Sequence, residues 1–463
     1  MKKIIFLFLA VVFLSGCGEN KARENGTENM PEPKAVSVSF SGEAEFQPHS
    51  AENRSMGFCL ELVYEPLFRF NGEGVLGECL ENRGREVDIY LKKGALWHDG
   101  SEFTAEDVAY TISLITGGQS VYPPGVIEGA AVKDKSCVTV FLSACIAEPQ
   151  RILTFPVVKN NSALSMKAPV GTGKYRYAGK SGFDTYLFEP SEKNSDLPHL
   201  RMIRVRSTNR EGELFRAGIT DIQYVENSGL KQYIPGVNSK ILKYPTNHMI
   251  YIGFNCEAVP EALRRAVYYA LDRPRLTEGI FGDTASAAVL PYITQNALSY
   301  KDSYSLFSAK SEAEAGGYVY INGRLHNNGT PVILRLGVQP GEGHLELAEK
   351  LSEMLGNFGI ECITQECTDF DIALLSGSFH MVLGTEYTNG DLWNMLRPGN
   401  RFLYSSEEMS RLFSAIHNRQ EFNNVFFRDI PFIPIAFRCD GISFAGRITD
   451  DEYLSFLPCG AAF

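Results

Sequence analysis

Residues 88–112 read DIYLKKGALWHDGSEFTAEDVAYTI, and three local rules succeed one another along them. Ile89 and Leu91 alternate with Asp88, Tyr90 and Lys92, the period of two of a half-buried strand. Lys93-Gly94 ends that run, and Asp99-Gly100 supplies the left-handed backbone of a tight turn. Thr104 then stands where an N-cap belongs, with Asp107 three residues on, so that a carboxylate faces the positive end of a helix. Ala105, Val108, Ile112 and Ile115 keep helical spacing until Gly117-Gly118 stops them. Trp97 reads as a core or turn-packing residue. A strand passing through a tight turn into a capped helix, with further strand and helix periods downstream, points to an α/β architecture.

These residues also carry a resemblance. A strand ending in Leu91-Lys92-Lys93-Gly94, then Trp97-His98-Asp99-Gly100 and Phe103-Thr104-Ala105-Glu106-Asp107-Val108, resembles family 5 of the bacterial solute-binding proteins. Those are the oligopeptide-, dipeptide- and nickel-binding receptors of ABC importers. Residues 168–175, APVGTGKY, resemble the family's Pro-Val-Gly-Thr-Gly-Pro-Tyr loop, with Lys174 in place of the second proline. Tyr64-Glu65-Pro66-Leu67, the strand 249–255 and the helix over 260–271 with Arg264, Ala266, Ala270, Asp272 and Arg273 match further elements. Ile430-Pro431-Phe432-Ile433-Pro434-Ile435 resembles the family's return strand, so the likeness runs from about residue 36 to 437.

The resemblance implies a two-lobed, periplasmic-binding-protein-like (type II) clamshell of α/β class, with an extra scaffold subdomain in lobe one. Lobe one would cover 35–249, including the scaffold at about 68–160. Lobe two would cover 250–426, and 427–463 would return to lobe one. Crossings near 243–251 and 426–434 would then act as hinges.

Residues 1–16 stand apart as a signal peptide. Met1-Lys2-Lys3 is a positive n-region and residues 4–14 an apolar h-region too short to span a bilayer. Leu14-Ser15-Gly16-Cys17 resembles the bacterial lipobox, which implies cleavage before Cys17 and a lipid on its sulfur. Residues 17–34 lack apolar periodicity and read as a flexible tether. The expected location is the outer face of the bacterial cytoplasmic membrane, anchored through lipid. The net charge of −11, which becomes −13 without Lys2 and Lys3, argues against a nucleic-acid partner. Of ten cysteines, nine remain beyond Cys17, scattered and without C-x2-C spacing, and are expected to be mostly free core thiols rather than zinc ligands.

Catalytic motifs are missing. There is no Gly-x-Ser-x-Gly and no His-Glu-x-x-His, and the eight histidines have no ligand spacing, so no enzyme, metal or cofactor is expected. In peptide-binding relatives the loop after the strand near Met381-Val382-Leu383-Gly384 carries an acid that holds the peptide's ammonium group. Here that segment is GTEYTNGDLW, residues 384–393, making Glu386 and Asp391 the candidates, with Tyr387 and Trp393 as stacking walls. Asp391 is better placed to cap the helix starting near Leu392, which leaves Glu386 for the ligand. Met56 and Phe58 join the set because the loops beside the 56–64 helix face the ligand in relatives. The arginine of dipeptide-preferring relatives has no counterpart in residues 337–344, GVQPGEGH.

The expectation is an extracytoplasmic substrate-binding lipoprotein, monomeric, that captures a peptide or peptide-like solute and delivers it to an ABC permease and ATPase. The same fold could carry a nickel-chelate, opine or sugar-type ligand. A lipoprotein that presents ligand to a membrane sensor is the alternative of a different class.

Overall fold

Residues 249–254, MIYIGF, are apolar without alternation, the pattern of a strand covered on both faces. They close a 16-residue strand, Ser239–Phe254. Its partner, Phe432–Ala445, is buried along almost its whole length. The two run antiparallel from Ser239 opposite Ala445 to Gly253 opposite Phe432. Each large side chain buried in this way stabilises the fold by about 1.5–3 kcal/mol, so this pair forms the spine of the sheet.

In chain order the strands up to and including the first spine strand are β1 (Ala35–Ser41), β2 (Gly77–Asn82), β3 (Glu86–Leu91), β4 (Ile127–Asp134), β5 (Cys137–Leu142), β6 (Tyr175–Ser181), β7 (Thr185–Pro190), β8 (His199–Val205), β9 (Ile222–Val225) and β10 (Ser239–Phe254). Beyond it come β11 (Ala285–Ala287), β12 (Val319–Ile321), β13 (Arg324–Asn327), β14 (Thr330–Pro331), β15 (Ile333–Val338), β16 (Glu361–Glu366), β17 (Met381–Tyr387) and β18 (Phe432–Ala445). This computed structural model describes residues 34–51, 53–163, 167–233, 236, 238–293, 303–388, 391–449 and 456–457. The signal peptide, Cys17, the tether up to residue 33, Asn389-Gly390 and Cys459 lie outside them.

Eleven strands form one sheet in the order β16-β15-β17-β10-β18-β9-β1-β8-β7-β6, with β11 added on β18. β15 pairs in parallel with β16 and β17, as the alternation of strand and helix predicts. The same holds for β1 with β8 and β9. The spine joins these two parallel sets through antiparallel ladders. One core surrounds β1 and β6 to β8. Two others cover opposite faces of β17, Met381 and Leu383 on one side and Val382 on the other.

A separate four-stranded sheet, β2-β3-β5-β4, carries the helix Ala105–Thr116. Val87, Ile89 and Leu91 face inward as their spacing predicts, and Trp97 is 2% exposed, donating from Nε1 to Asp107 at 3.2 Å. Asp107 also accepts from the Thr104 amide at 2.8 Å, the expected N-terminal pairing. Gly100 takes φ +82° in the turn. Asp88 departs from its predicted solvent face. It is buried and held by Thr139 at 2.6 Å, Arg83 at 2.8 Å and Lys133, because these side chains close over it on a face where Glu86 and Tyr90 stay exposed.

Two family-like motifs, distant in sequence, meet in space. The His98 amide donates to the Gly171 carbonyl at 2.8 Å, and its ring nitrogens lie 3.2 Å from the Gly171 amide and 3.0 Å from the Gly173 carbonyl. Gly173 donates in turn to the Val63 carbonyl at 2.9 Å. A Cβ on Gly171 would stand 1.8 Å from that carbonyl, so close backbone approach requires glycine here. Arg273 is fully buried over the Tyr268 ring, and Asp272 caps the following helix. All eight described cysteines are unpaired.

Candidate ligand-binding cleft

The register of the spine shifts twice, once between Ile250 and Tyr251 and once, more widely, just before it. Between Pro245 opposite Cys439 and Met249 opposite Phe437, three residues of β10 face a single residue of β18. Pro245 lacks a donor, Thr246 Oγ1 donates to the Arg438 carbonyl at 2.9 Å, and the Asn247 carbonyl accepts from the Thr388 amide at 2.9 Å. Such bulges bend a strand and re-aim its side chains. Here the bulge lines a cleft with about 1450 Å³ of empty space, part of it open to solvent.

The helix Arg54–Leu60 forms one wall, started by Asn53, whose Oδ1 accepts from the Ser55 amide at 2.9 Å. Arg54, Phe58 and Glu61, four and three residues apart, lie on the face turned to the cleft. Tyr122 and Phe155 come from loops, Tyr224 from β9, Tyr244 and His248 from β10, and Tyr387 from the end of β17. Asp440, 1% exposed on β18, accepts from Arg54, Tyr224 Oη and the Asn227 amide. Burial raises its pKa although the Arg54 charge opposes the shift. Arg54 also lies 3.7 Å from Glu226. Burial, helped by the Arg54 and Arg438 charges, lowers His248 to about 4, so its ring is neutral near pH 7. That ring meets Tyr387 edge-on at 5.1 Å, and Phe58 stacks on Tyr224 at 5.8 Å. Tyr387 is 39% exposed, yet burial raises its phenol, a combination found deep in a cleft that solvent still enters.

A smaller cavity with about 660 Å³ of empty space adjoins the cleft and shares Asn247 with it. Phe70, Leu392, Phe413 and Phe422 form its apolar walls, and Arg151, Arg419 and Glu148 its charged end. Glu148 pairs with both arginines. Asp391 stands in this cavity, 8% exposed. Its Oδ1 accepts from the Trp393 amide at 3.0 Å, while Oδ2 is buried without a hydrogen bond. Burial pushes the carboxyl up to about 7, against the partial relief given by the Trp393 and Val126 amides.

Of the residues singled out from sequence, Phe58 and Tyr387 line the cleft and Asp391 lines the adjoining cavity. The others stand elsewhere. Met56 is 2% exposed inside a core. Trp393 packs edge-on against Phe413 at 5.1 Å. Glu386 points away from the Tyr387 face, as neighbours on a strand must, and accepts from Arg401 at 3.1 Å. The helix starts at Trp393, so Asp391 precedes its N-cap, Leu392, and still bonds the first helical amide. Sequence reasoning passed over Arg54, Glu61, Tyr224, Tyr244 and Asp440. The spacing of Arg54 and Glu61 about Phe58, and a lone Asp440 inside an apolar strand, were the available signals. No group of three or more His, Cys, Asp or Glu side chains among the described residues could hold a metal ion.

Comparison with known proteins bears on this geometry. Residues 80–408 match the model of the bacterial extracellular solute-binding proteins, family 5 Middle, and residues 1–17 that of the prokaryotic membrane lipoprotein lipid attachment site. The chain is 24% identical over 319 residues to the oligopeptide-binding protein AppA of Bacillus subtilis, a match covering 61% of this chain and 58% of that protein. Its fold resembles the nickel ABC transporter protein of Bacillus halodurans, with a TM-score of 0.69, 14% identity, and coverage of 91% and 98% of the two chains. It also resembles the ABC transporter substrate-binding protein CtaP of Listeria monocytogenes, with a TM-score of 0.62, 17% identity, and coverage of 90% and 94%.

Proposed function

Since the chain belongs to family 5 of the bacterial extracellular solute-binding proteins, we propose that it captures a peptide or peptide-like solute in the cleft and hands it to an ABC permease. The family is one of binding proteins rather than enzymes, and the lipid attachment site places this member on the outer face of the membrane. One observation carries the peptide reading. Asp391 keeps a buried carboxylate oxygen without a hydrogen bond in a cavity that adjoins the cleft. A buried carboxylate is costly unless something pairs with it, and a solute's ammonium group meets that need. Asp391 thus takes the role first given to Glu386, which Arg401 already engages. Phe58 and Tyr387 act as apolar and aromatic walls for the solute.

The two-lobed division at 35–249, 250–426 and 427–463 belongs to the same reading. β10 crosses the boundary between the first two segments and pairs with β18 on both sides of it, and their bulge beside the cleft is where closure would bend them. Calorimetry with free and N-acetylated tripeptides tests the assignment, with nickel–histidine as a second ligand. Free peptides should bind and acetylated ones should lose about ten- to a hundredfold, the worth of a charge-assisted hydrogen bond of about 1.5–3 kcal/mol. Binding of nickel–histidine alone would replace the peptide reading with the metal-chelate one.

A further inference from the structure

Asp391 shares its cavity with apolar walls. Phe70, Leu392, Phe413 and Phe422 line the space with it, and all four are buried. Phe413 meets Phe422 edge-on at 6.4 Å, and Trp393 packs against Phe413 at 5.1 Å. The rings are therefore fixed by their neighbours. A cavity between fixed apolar walls favours an apolar occupant, which supplies the dispersion contacts that the walls cannot make across the gap. The charged end has the opposite character. Arg151 lies over the Phe70 ring at 5.1 Å, and Arg419 over the Tyr292 ring at 4.0 Å. Both pair with the single carboxylate of Glu148, so these three groups together carry a positive charge. Burial, aided by the Arg151 charge, lowers the pKa of Arg419, as expected of a guanidinium held beside a second one. Asn247 lines both this cavity and the larger cleft, and marks where one opens toward the other.

We infer that the cavity selects the side chain of the solute's first residue: a large apolar one packs among Phe70, Leu392, Phe413 and Phe422, and a basic one is rejected by Arg151 and Arg419. This inference rests on the ammonium group being held at Asp391. It adds a choice of side chain that the ammonium assignment does not contain. The first side chain begins two bonds from the ammonium nitrogen, so fixing that nitrogen at Asp391 puts this side chain in the cavity. Later residues pass Asn247 into the cleft, which has about 1450 Å³ of space against about 660 Å³ here. Discrimination therefore belongs to the first position and not to the second.

The test is titration calorimetry of the full mature protein with norleucine-Ala-Ala, Ala-norleucine-Ala, Ala-Ala-Ala and Lys-Ala-Ala. Norleucine and lysine have side chains of similar length, so the two peptides that begin with them differ chiefly in charge. The norleucine-first peptide should bind at least about tenfold more tightly than tri-alanine, the worth of burying one such side chain. It should exceed the lysine-first peptide by at least as much, and Ala-norleucine-Ala should stay within about threefold of tri-alanine. Ala147 is a half-buried lining residue, and Ala147→Met adds bulk to the cavity without removing a wall. That variant should lose the preference for norleucine while still binding tri-alanine, and its melting temperature should not fall. Arg419→Met should bring the lysine-first peptide closer to the norleucine-first one. Equal binding of all four peptides to the wild type overturns the side-chain inference and leaves the ammonium reading standing. A preference for norleucine that survives in a folded Ala147→Met moves the selection out of this cavity and overturns the inference as well. N-acetyl-norleucine-Ala-Ala binding as tightly as the free peptide overturns the Asp391 reading on which it rests. Failure of every peptide to bind overturns both.

Discussion

Replacing Asp391 by asparagine separates its two possible roles, because the change keeps the cap and removes the charge. Asparagine can still accept from the Trp393 amide, now at 3.0 Å from Oδ1. What disappears is an ionisable group whose folded-state pKa is raised from 3.8 to about 7 by burial. Between about pH 4 and 7 the unfolded chain has released this proton and the folded chain has not. Stability therefore falls as pH rises through that window and stays reduced above it. Three pKa units at 1.36 kcal/mol each set the cost at about 4 kcal/mol, an upper figure for a cavity that admits some water. For a body of this size that corresponds to a few degrees in melting temperature. Asp391→Asn should accordingly melt higher than the wild type at pH 8 and level with it near pH 4. Affinity should move the other way. The carboxylate must be ionised to hold an ammonium, so wild-type binding of a free tripeptide should weaken about tenfold between pH 8 and pH 6. The variant should bind about ten- to a hundredfold more weakly at pH 8 and lose this acid limb. Glu386→Gln, which disturbs only the contact with Arg401 on the other face, should leave affinity unchanged. Scanning calorimetry and titration across the same buffers read both quantities. A variant that melts lower at pH 8 and binds normally would refute the reasoning and leave Asp391 as a helix-start residue alone.

Three further outcomes are expected. Cys17→Ser should release the protein from membranes or leave the leader attached, while mass spectrometry of the wild type finds a thioether-linked diacylglycerol on Cys17. Gly171→Ala places a methyl group against the Val63 carbonyl and should cost at least about 1–3 kcal/mol through forced backbone movement, read as a lower denaturation midpoint in urea. Closure of two lobes about the bulge in β10 should reduce the radius of gyration on addition of a bound peptide. An unchanged scattering profile at saturation would remove the clamshell account.

What could be read from sequence follows from how local the cause is. The strand, turn and helix of residues 88–116 obey short-range rules, and the structure reproduces them down to the bond between Thr104 and Asp107. The parallel set β15, β16 and β17 was legible for the same reason, since each strand is separated from the next by a helix. Asp88 was misread because alternation does not foresee the Arg83, Lys133 and Thr139 side chains that close over it on an otherwise exposed face. The clamp of His98 on Gly171 and Gly173 spans about 70 residues, so the glycines announced crowding without naming the partner.

The cleft shows a different limit. Which of Glu386 and Tyr387 faces the cleft depends on one residue of strand register, because adjacent side chains leave a strand on opposite faces. Tyr387 lies opposite His248 and Glu386 opposite Met249. His248 faces the cleft because the bulge between Pro245 and Met249 turns it there. That bulge exists only in the pairing of β10 with β18, strands almost 200 residues apart in the chain. The loop from Gly384 to Trp393 contains two acids and two aromatics and no information about that pairing. The side that faces the cleft is therefore set by a distant strand. The acid that stays available is the one left without a cation, Asp391, rather than the one on the regular strand that Arg401 can reach.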